Sequence, residues 1–127
     1  MVREAYDAYN RGDYQRMASV MHPEIRWDSV ETSLMGETVH GPEAIIDRLR
    51  PDIFATQRTE LIETEIQDGQ VYIELRFHAE GKASGIKVVT PAWQVWTVEE
   101  GQVVRVQNFL HRDEARAAAG LEAKAAE

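Results

Sequence analysis

Apolar residues in the first part of the chain recur at helical spacing. Val2, Ala5, Tyr6 and Tyr9 share one face of a helix spanning Val2 to Asn10. Gly12 ends it, and Asp13 is placed to cap a second helix whose core positions are Tyr14, Met17, Val20 and Met21. His22-Pro23 stops that helix, because proline cannot continue it and biases its predecessor toward extended backbone. A short strand, Ile25 to Val30, follows. Glu31 to His40 has no period and reads as a loop. Gly41-Pro42-Glu43 opens a third helix with Ala44, Ile45 and Leu49 facing inward, and Pro51 ends or kinks it.

From Thr59 the period changes to two, which predicts four strands: Thr59 to Gln67, Gln70 to Glu80, Gly85 to Glu99 and Gln102 to Leu110. Asp68-Gly69 and Glu100-Gly101 are tight-turn signals, so the strands they join should form antiparallel hairpins. Gly81 to Gly85 is a looser turn. A short helix, Asp113 to Ala119, closes the domain at Gly120. Helices followed by a long meander define an α+β order. The chain is expected to be one domain over residues 1–121, with 122–127 a frayed tail.

Composition narrows the function classes. At 127 residues the chain supports one core and one modest pocket. A net charge of −8, with 14 Lys and Arg scattered along the chain, opposes nucleic-acid binding. No apolar run is long enough to span a bilayer, and no signal peptide is evident, so no membrane partner is expected. Cysteine is absent, which excludes disulfides and thiolate metal sites and leaves the cytoplasm as the expected location. None of the four histidines has an i, i+4 partner with an accompanying acid, so no metal is expected.

Several stretches, taken in order, carry a family likeness. They are Tyr9-Asn10-Arg11-Gly12-Asp13, His22-Pro23-Glu24-Ile25-Arg26-Trp27, His40-Gly41-Pro42-Glu43-Ala44-Ile45 and Gly81-Lys82-Ala83-Ser84-Gly85. Val95-Trp96-Thr97-Val98, Gly101 to Val106, Glu114-Ala115 and Ala118 to Leu121 complete the set. Together they resemble a SnoaL-like domain of the nuclear transport factor 2-like superfamily, over nearly the whole chain. The resemblance implies a curved antiparallel sheet wrapped around N-terminal helices, forming a cone with one mostly apolar pocket. It implies no cofactor, a small hydrophobic or aromatic ligand, and a homodimer formed through the convex sheet face. Relatives include ketosteroid isomerases and polyketide cyclases, and also proteins that only bind, so the fold leaves function open.

Candidate chemistry follows from the same comparison. In ketosteroid isomerases a carboxylate at the end of the first strand is the general base; here that position is Ser29, with Asp28 and Glu31 the nearest acids. Alternation puts Trp27 and Ser29 on one face and Asp28 on the other, and a one-residue bulge could turn an acid inward. The aspartate that follows the Val88-Val89-Thr90-Pro91 stretch in those enzymes is replaced by Trp93, and their helix tyrosine by Ala5. Isomerisation by that mechanism is therefore not expected. The resemblance directs Val104, Val106, Asn108 and Leu110 into the cone and places His40 at its mouth. The candidate catalytic set is thus Asp28, Glu31, His40 and Asn108, and the candidate ligand-lining set is Tyr9, Trp27, Ser29, Phe77, Trp93 and Val106. Val71, Ile73, Leu75 and Phe77 should face the helices, whereas Tyr72, Arg76, His78, Gln94 and Trp96 should project from the convex face, where exposed Trp implies a partner. Two functions remain. One is a cofactor-independent enzyme moving a proton on a cyclic carbonyl compound; the other is a non-catalytic ligand-binding or dimerisation module.

Overall fold

In the computed structural model the described residues are 1–28, 38–49 and 54–122, with Phe54 described for its backbone only. The elements are α1 (Val2–Asn10), α2 (Tyr14–Ala18), β1 (Met21–Asp28), β2 (Thr38–His40) and α3 (Pro42–Leu49). They continue with β3 (Phe54–Gln67), β4 (Gln70–Gly81), β5 (Lys87–Glu99), β6 (Gln102–Phe109) and α4 (Arg112–Ala118). One curved six-stranded sheet has the order β2-β1-β6-β5-β4-β3. Helices α1, α2 and α3 lie on its inner face and α4 on its outer face.

The sheet departs from the wholly antiparallel form expected. The β1–β6 pair is parallel, and the other neighbours are antiparallel. The chain reaches β6 only after the β3–β6 meander, and it arrives running in the same direction as β1.

Several boundaries move for local reasons. Helix α2 ends at Ala18, and β1 starts at Met21, running through the proline expected only to end a helix. Pro23 has no N–H to give to a ladder, and it sits where the β1–β6 register jumps between Met21 and Arg26. At that jump His22 Nδ1 accepts the Glu24 N–H at 2.9 Å. Thr38–His40, inside the expected loop, pairs with β1 as β2. Strand β3 begins five residues before Thr59, at Phe54.

The turn chemistry is as expected. Asp68 and Gly69 both have positive φ, 49° and 78°, as do Glu100 and Gly101 at 51° and 79°. That pair of left-handed residues is the two-residue hairpin turn whose twist suits flanking strands. Asp13 caps α2 by accepting the Arg16 N–H at 3.2 Å. At α4 the cap position is His111, which makes no side-chain cap bond, while Asp113 lies in the first turn.

The inner core joins Ala5, Tyr6 and Tyr9 of α1, Met17 of α2 and Ile45 and Ile46 of α3 to Val71, Ile73, Leu75, Trp96, Val103 and Val106 of the sheet. A smaller outer core packs Ala115 and Ala119 on Tyr72 and Val95, flanked by Trp93, Phe109 and Leu121. Strand β3 is a sheet edge, and α1 satisfies part of it. Asn10 donates to Thr59 O and accepts from Thr59 N, both at 2.8 Å, as a neighbouring strand would.

Candidate active site

The cone interior is defined by register. Ile73 pairs with Gln94, Val71 with Trp96, and Glu74 with Trp93. Directly paired residues share a face, so Gln94 and Trp96 point inward with Ile73, and Trp93 points outward with Glu74. This reverses the expectation for three residues. Trp93 does not enter the cone: its indole donates to Glu74 Oε1 at 3.1 Å and its ring packs beside α4. Gln94 and Trp96 are not on the outer face; they are buried, at 5% and 1% exposure. The exposed Trp-rich face that argued for a partner is therefore not present, because α4 covers Tyr72 and Val95 and Trp96 lies inside. His78 does project outward, 3.0 Å from Glu60 Oε1.

Asp28 is also outside. Trp27 is buried on the inner face, in register with Val106, and its neighbour Asp28 faces the other way. The Asp28 carboxylate accepts from Arg26 Nε at 2.9 Å, Arg105 Nε at 2.9 Å and Thr38 Oγ1 at 3.0 Å. Burial acts to raise its pKa, but the bonds from Arg26, Arg105 and Thr38 and the charge of Arg105 outweigh it and hold the group below its ordinary value. The inward-turning bulge that would bring Asp28 into the cone is absent, since the β1 irregularity lies before Arg26. A carboxylate clamped by two guanidiniums is a poor proton acceptor, and the expectation of Asp28 as an acid or base in the pocket is corrected on that ground. His40 is exposed and paired with Arg26, on the same outer side. Ser29 and Glu31 lie outside the described residues.

Asn108 faces inward as expected, in register with Gln94. It belongs to a chain of hydrogen bonds whose polarity is fixed by its ends. The Trp96 indole can only donate, so the Gln94 atom 3.0 Å from it is Oε1. The same oxygen then accepts the Tyr6 hydroxyl at 2.5 Å. Gln94 Nε2 donates to Asn108 Oδ1 at 2.9 Å, and Asn108 Nδ2 donates to the Asp28 carbonyl at 2.9 Å. Nearby, the Tyr9 hydroxyl donates to Leu49 O at 2.7 Å, a carbonyl of the last turn of α3 that also receives Gln57 Nε2 at 3.0 Å. Burial pushes the pKa of both Tyr6 and Tyr9 far above the ordinary tyrosine value, so both phenols stay neutral.

Between α1, the end of α3 and the sheet lies a cavity of about 280 Å³. Tyr6, Tyr9, Thr59, Phe77, Ala92 and Gln94 line it, with Leu49, Leu75 and Arg48. Tyr9 and Phe77, both named from the sequence, are in this lining. Trp27 and Val106 pack in the adjoining core without lining the cavity. Tyr6, Thr59, Ala92 and Gln94 were not singled out as lining residues. The i, i+3 spacing of Tyr6 and Tyr9 on the buried face of α1 was the available signal for Tyr6. Other depressions among the described residues include one of about 650 Å³ between the Gly12-Asp13 turn and α3, and one of about 320 Å³ over Gln57, Ala79 and Val88. The first does not reach the sheet. Among the described residues no group of three or more His, Asp or Glu side chains could hold a metal ion.

Helices packed inside a curved sheet, with an aromatic-lined cavity between them, define the architecture of this chain. The sequence matches the family model described as SnoaL-like domain over residues 2–106, and the chain belongs to that family. Solved structures agree in fold. An NTF2-like protein of unknown function from Burkholderia pseudomallei K96243 is 23% identical, with 93% of each chain covered and a TM-score of 0.74. TerC, co-crystallised with polyporic acid, is 19% identical over 93% of each chain, with a TM-score of 0.73. A candidate SnoaL-like polyketide cyclase from Jannaschia sp. CCS1 is 18% identical over 98% of this chain and 90% of its own, with a TM-score of 0.72. No curated protein matches the sequence. No helix among the described residues is long and apolar enough to cross a membrane.

Proposed function

We propose that this chain holds a small, largely apolar cyclic molecule in the cavity bounded by Tyr6, Tyr9, Thr59 and Phe77. The observation that carries the reading is the polarised chain from Trp96 and Tyr6 through Gln94 and Asn108 to the Asp28 carbonyl. It satisfies buried polar groups around an apolar space and leaves that space shaped, which is how a binding site is built. The same observation bears on catalysis. Among the described residues no carboxylate or histidine lines the cavity. Asn108, once a candidate to polarise an oxygen, has its carbonyl and one amide proton already engaged. Binding is therefore favoured over proton transfer.

The enzyme reading survives through one residue. Glu31 follows β1, and similar folds include a candidate polyketide cyclase, so Glu31 acting as the base on a cyclic carbonyl compound is the second proposal. Helix α4 covers the aromatic part of the outer sheet face, so a homodimer formed there would rest on the remainder of that face.

The two readings separate in one experiment. Purified protein is melted with mono-, bi- and tetracyclic alcohols, ketones and quinones, and compounds that raise Tm are assayed for turnover. Binding without turnover, unchanged in Glu31→Gln, is the expected result. Turnover lost in Glu31→Gln would establish the enzyme instead, and an unshifted Tm across the panel would contradict both.

A further inference from the structure

The direction of the hydrogen bonds around the cavity says what its occupant must offer. Each tyrosine hydroxyl has one proton. That of Tyr6 goes to Gln94 Oε1, an acceptor fixed as oxygen by Trp96, and that of Tyr9 goes to the Leu49 carbonyl, which can only accept. Neither oxygen accepts a bond from a described residue. Tyr6 and Tyr9 therefore present lone pairs to the cavity, the opposite of a donor pair built for an oxyanion. Moving a proton to face the cavity would strand Gln94 Oε1 or Leu49 O with one partner fewer. Thr59 is the remaining hydroxyl in the lining; its backbone is held by Asn10, and its Oγ1 can donate or accept.

Size narrows the occupant further. A cavity of roughly 150 Å³ holds benzene. At about 280 Å³ this one has room for a bicyclic ring system. Phe77, Leu75 and Ala92 supply apolar walls. Tyr6 and Tyr9 meet edge to face, with centroids 6.4 Å apart and planes at 88°, so one presents an edge where the other presents a face.

We infer that the cavity selects a mono- or bicyclic alcohol or phenol, whose hydroxyl donates to Tyr6 or Tyr9 and accepts from Thr59. The inference rests on the cavity being the ligand site. A ligand oxygen that cannot donate meets two buried acceptors, the Tyr6 and Tyr9 oxygens.

The test is isothermal titration of 2-naphthol and 2-methoxynaphthalene into the full chain, repeated with Tyr6→Phe, Tyr9→Phe and Thr59→Val after each variant is checked for folding by circular dichroism. The expected result is that 2-naphthol binds about tenfold more tightly than its methyl ether. The naphthol-to-ether ratio should fall toward one in Tyr6→Phe or Tyr9→Phe, and this ratio reports on the hydroxyls even where a variant is less stable. Equal or tighter binding of the ether would overturn the donor inference while leaving the cavity as the site. Binding of neither compound to the wild-type chain would overturn both.

Discussion

Gln94 shows most clearly how single residues organise this molecule. Its oxygen holds Tyr6 of α1 and Trp96 of its own strand, and its nitrogen reaches Asn108 of β6. Gln94→Leu would leave a hydroxyl and an indole N–H buried without acceptors. The expected cost is about 2–4 kcal/mol, read as a lower urea midpoint at unchanged m-value; an unchanged midpoint would mean that the chain of bonds is not formed. Asp28 gives the second residue-scale prediction. Its folded pKa is depressed, so its contribution is fully present above the unfolded value near 4 and is lost as pH falls through the folded value. Asp28→Asn should therefore destabilise the protein at neutral pH, by about 2 kcal/mol, and converge with wild type in strong acid. Parallel acid-denaturation curves for the two proteins would show that the clamp contributes nothing. At this scale the sequence was least legible. Alternation in β5 is visible, but Trp93, Val95 and Gln94, Trp96 offer an aromatic residue to either face. Only the pairing of Val71 with Trp96 decides which set turns inward, and the looser Gly81–Gly85 turn does not fix that pairing.

Elements were far more legible, because turn chemistry and period are local. The Asp68-Gly69 and Glu100-Gly101 turns, the α1 face and the α2 cap all follow from residues within a few positions of one another. Strand β2 and the early start of β1 do not, since a three-residue edge strand and a proline accommodated at a register jump depend on partners distant in sequence. Helix α4 carries the element-scale prediction. Ala115 is fully buried against Tyr72 and Val95, and Arg116 lies 5.1 Å from the centre of the Tyr72 ring. Ala115→Leu should overpack this contact and cost about 1–3 kcal/mol, seen as a lower Tm. Because this outer core is separated from the cavity by the sheet, ligand binding at 25 °C should be unaffected. A loss of binding in a folded Ala115→Leu protein would show that α4 and the cavity are coupled.

For the whole molecule, the family and the cone follow from the order of motifs along the chain, and the match over residues 2–106 agrees with them. The site is a property of the assembled cone. Thr59 and Gln94 come from strands β3 and β5, Tyr6 and Tyr9 from α1, and no stretch of sequence contains them together. Trp93, at the position of the isomerase aspartate, and Asp28, an acid next to the base position, both lie on the outer face.

The most direct test of that account fills the cavity. Ala92 lines it, and its side chain leaves room that a larger residue would occupy. Ala92→Phe should fold, with circular dichroism unchanged, and should lose the Tm increase that a small cyclic ligand gives the wild-type chain. Equal ligand-induced shifts in Ala92→Phe and wild type would place binding elsewhere on the molecule and contradict the account.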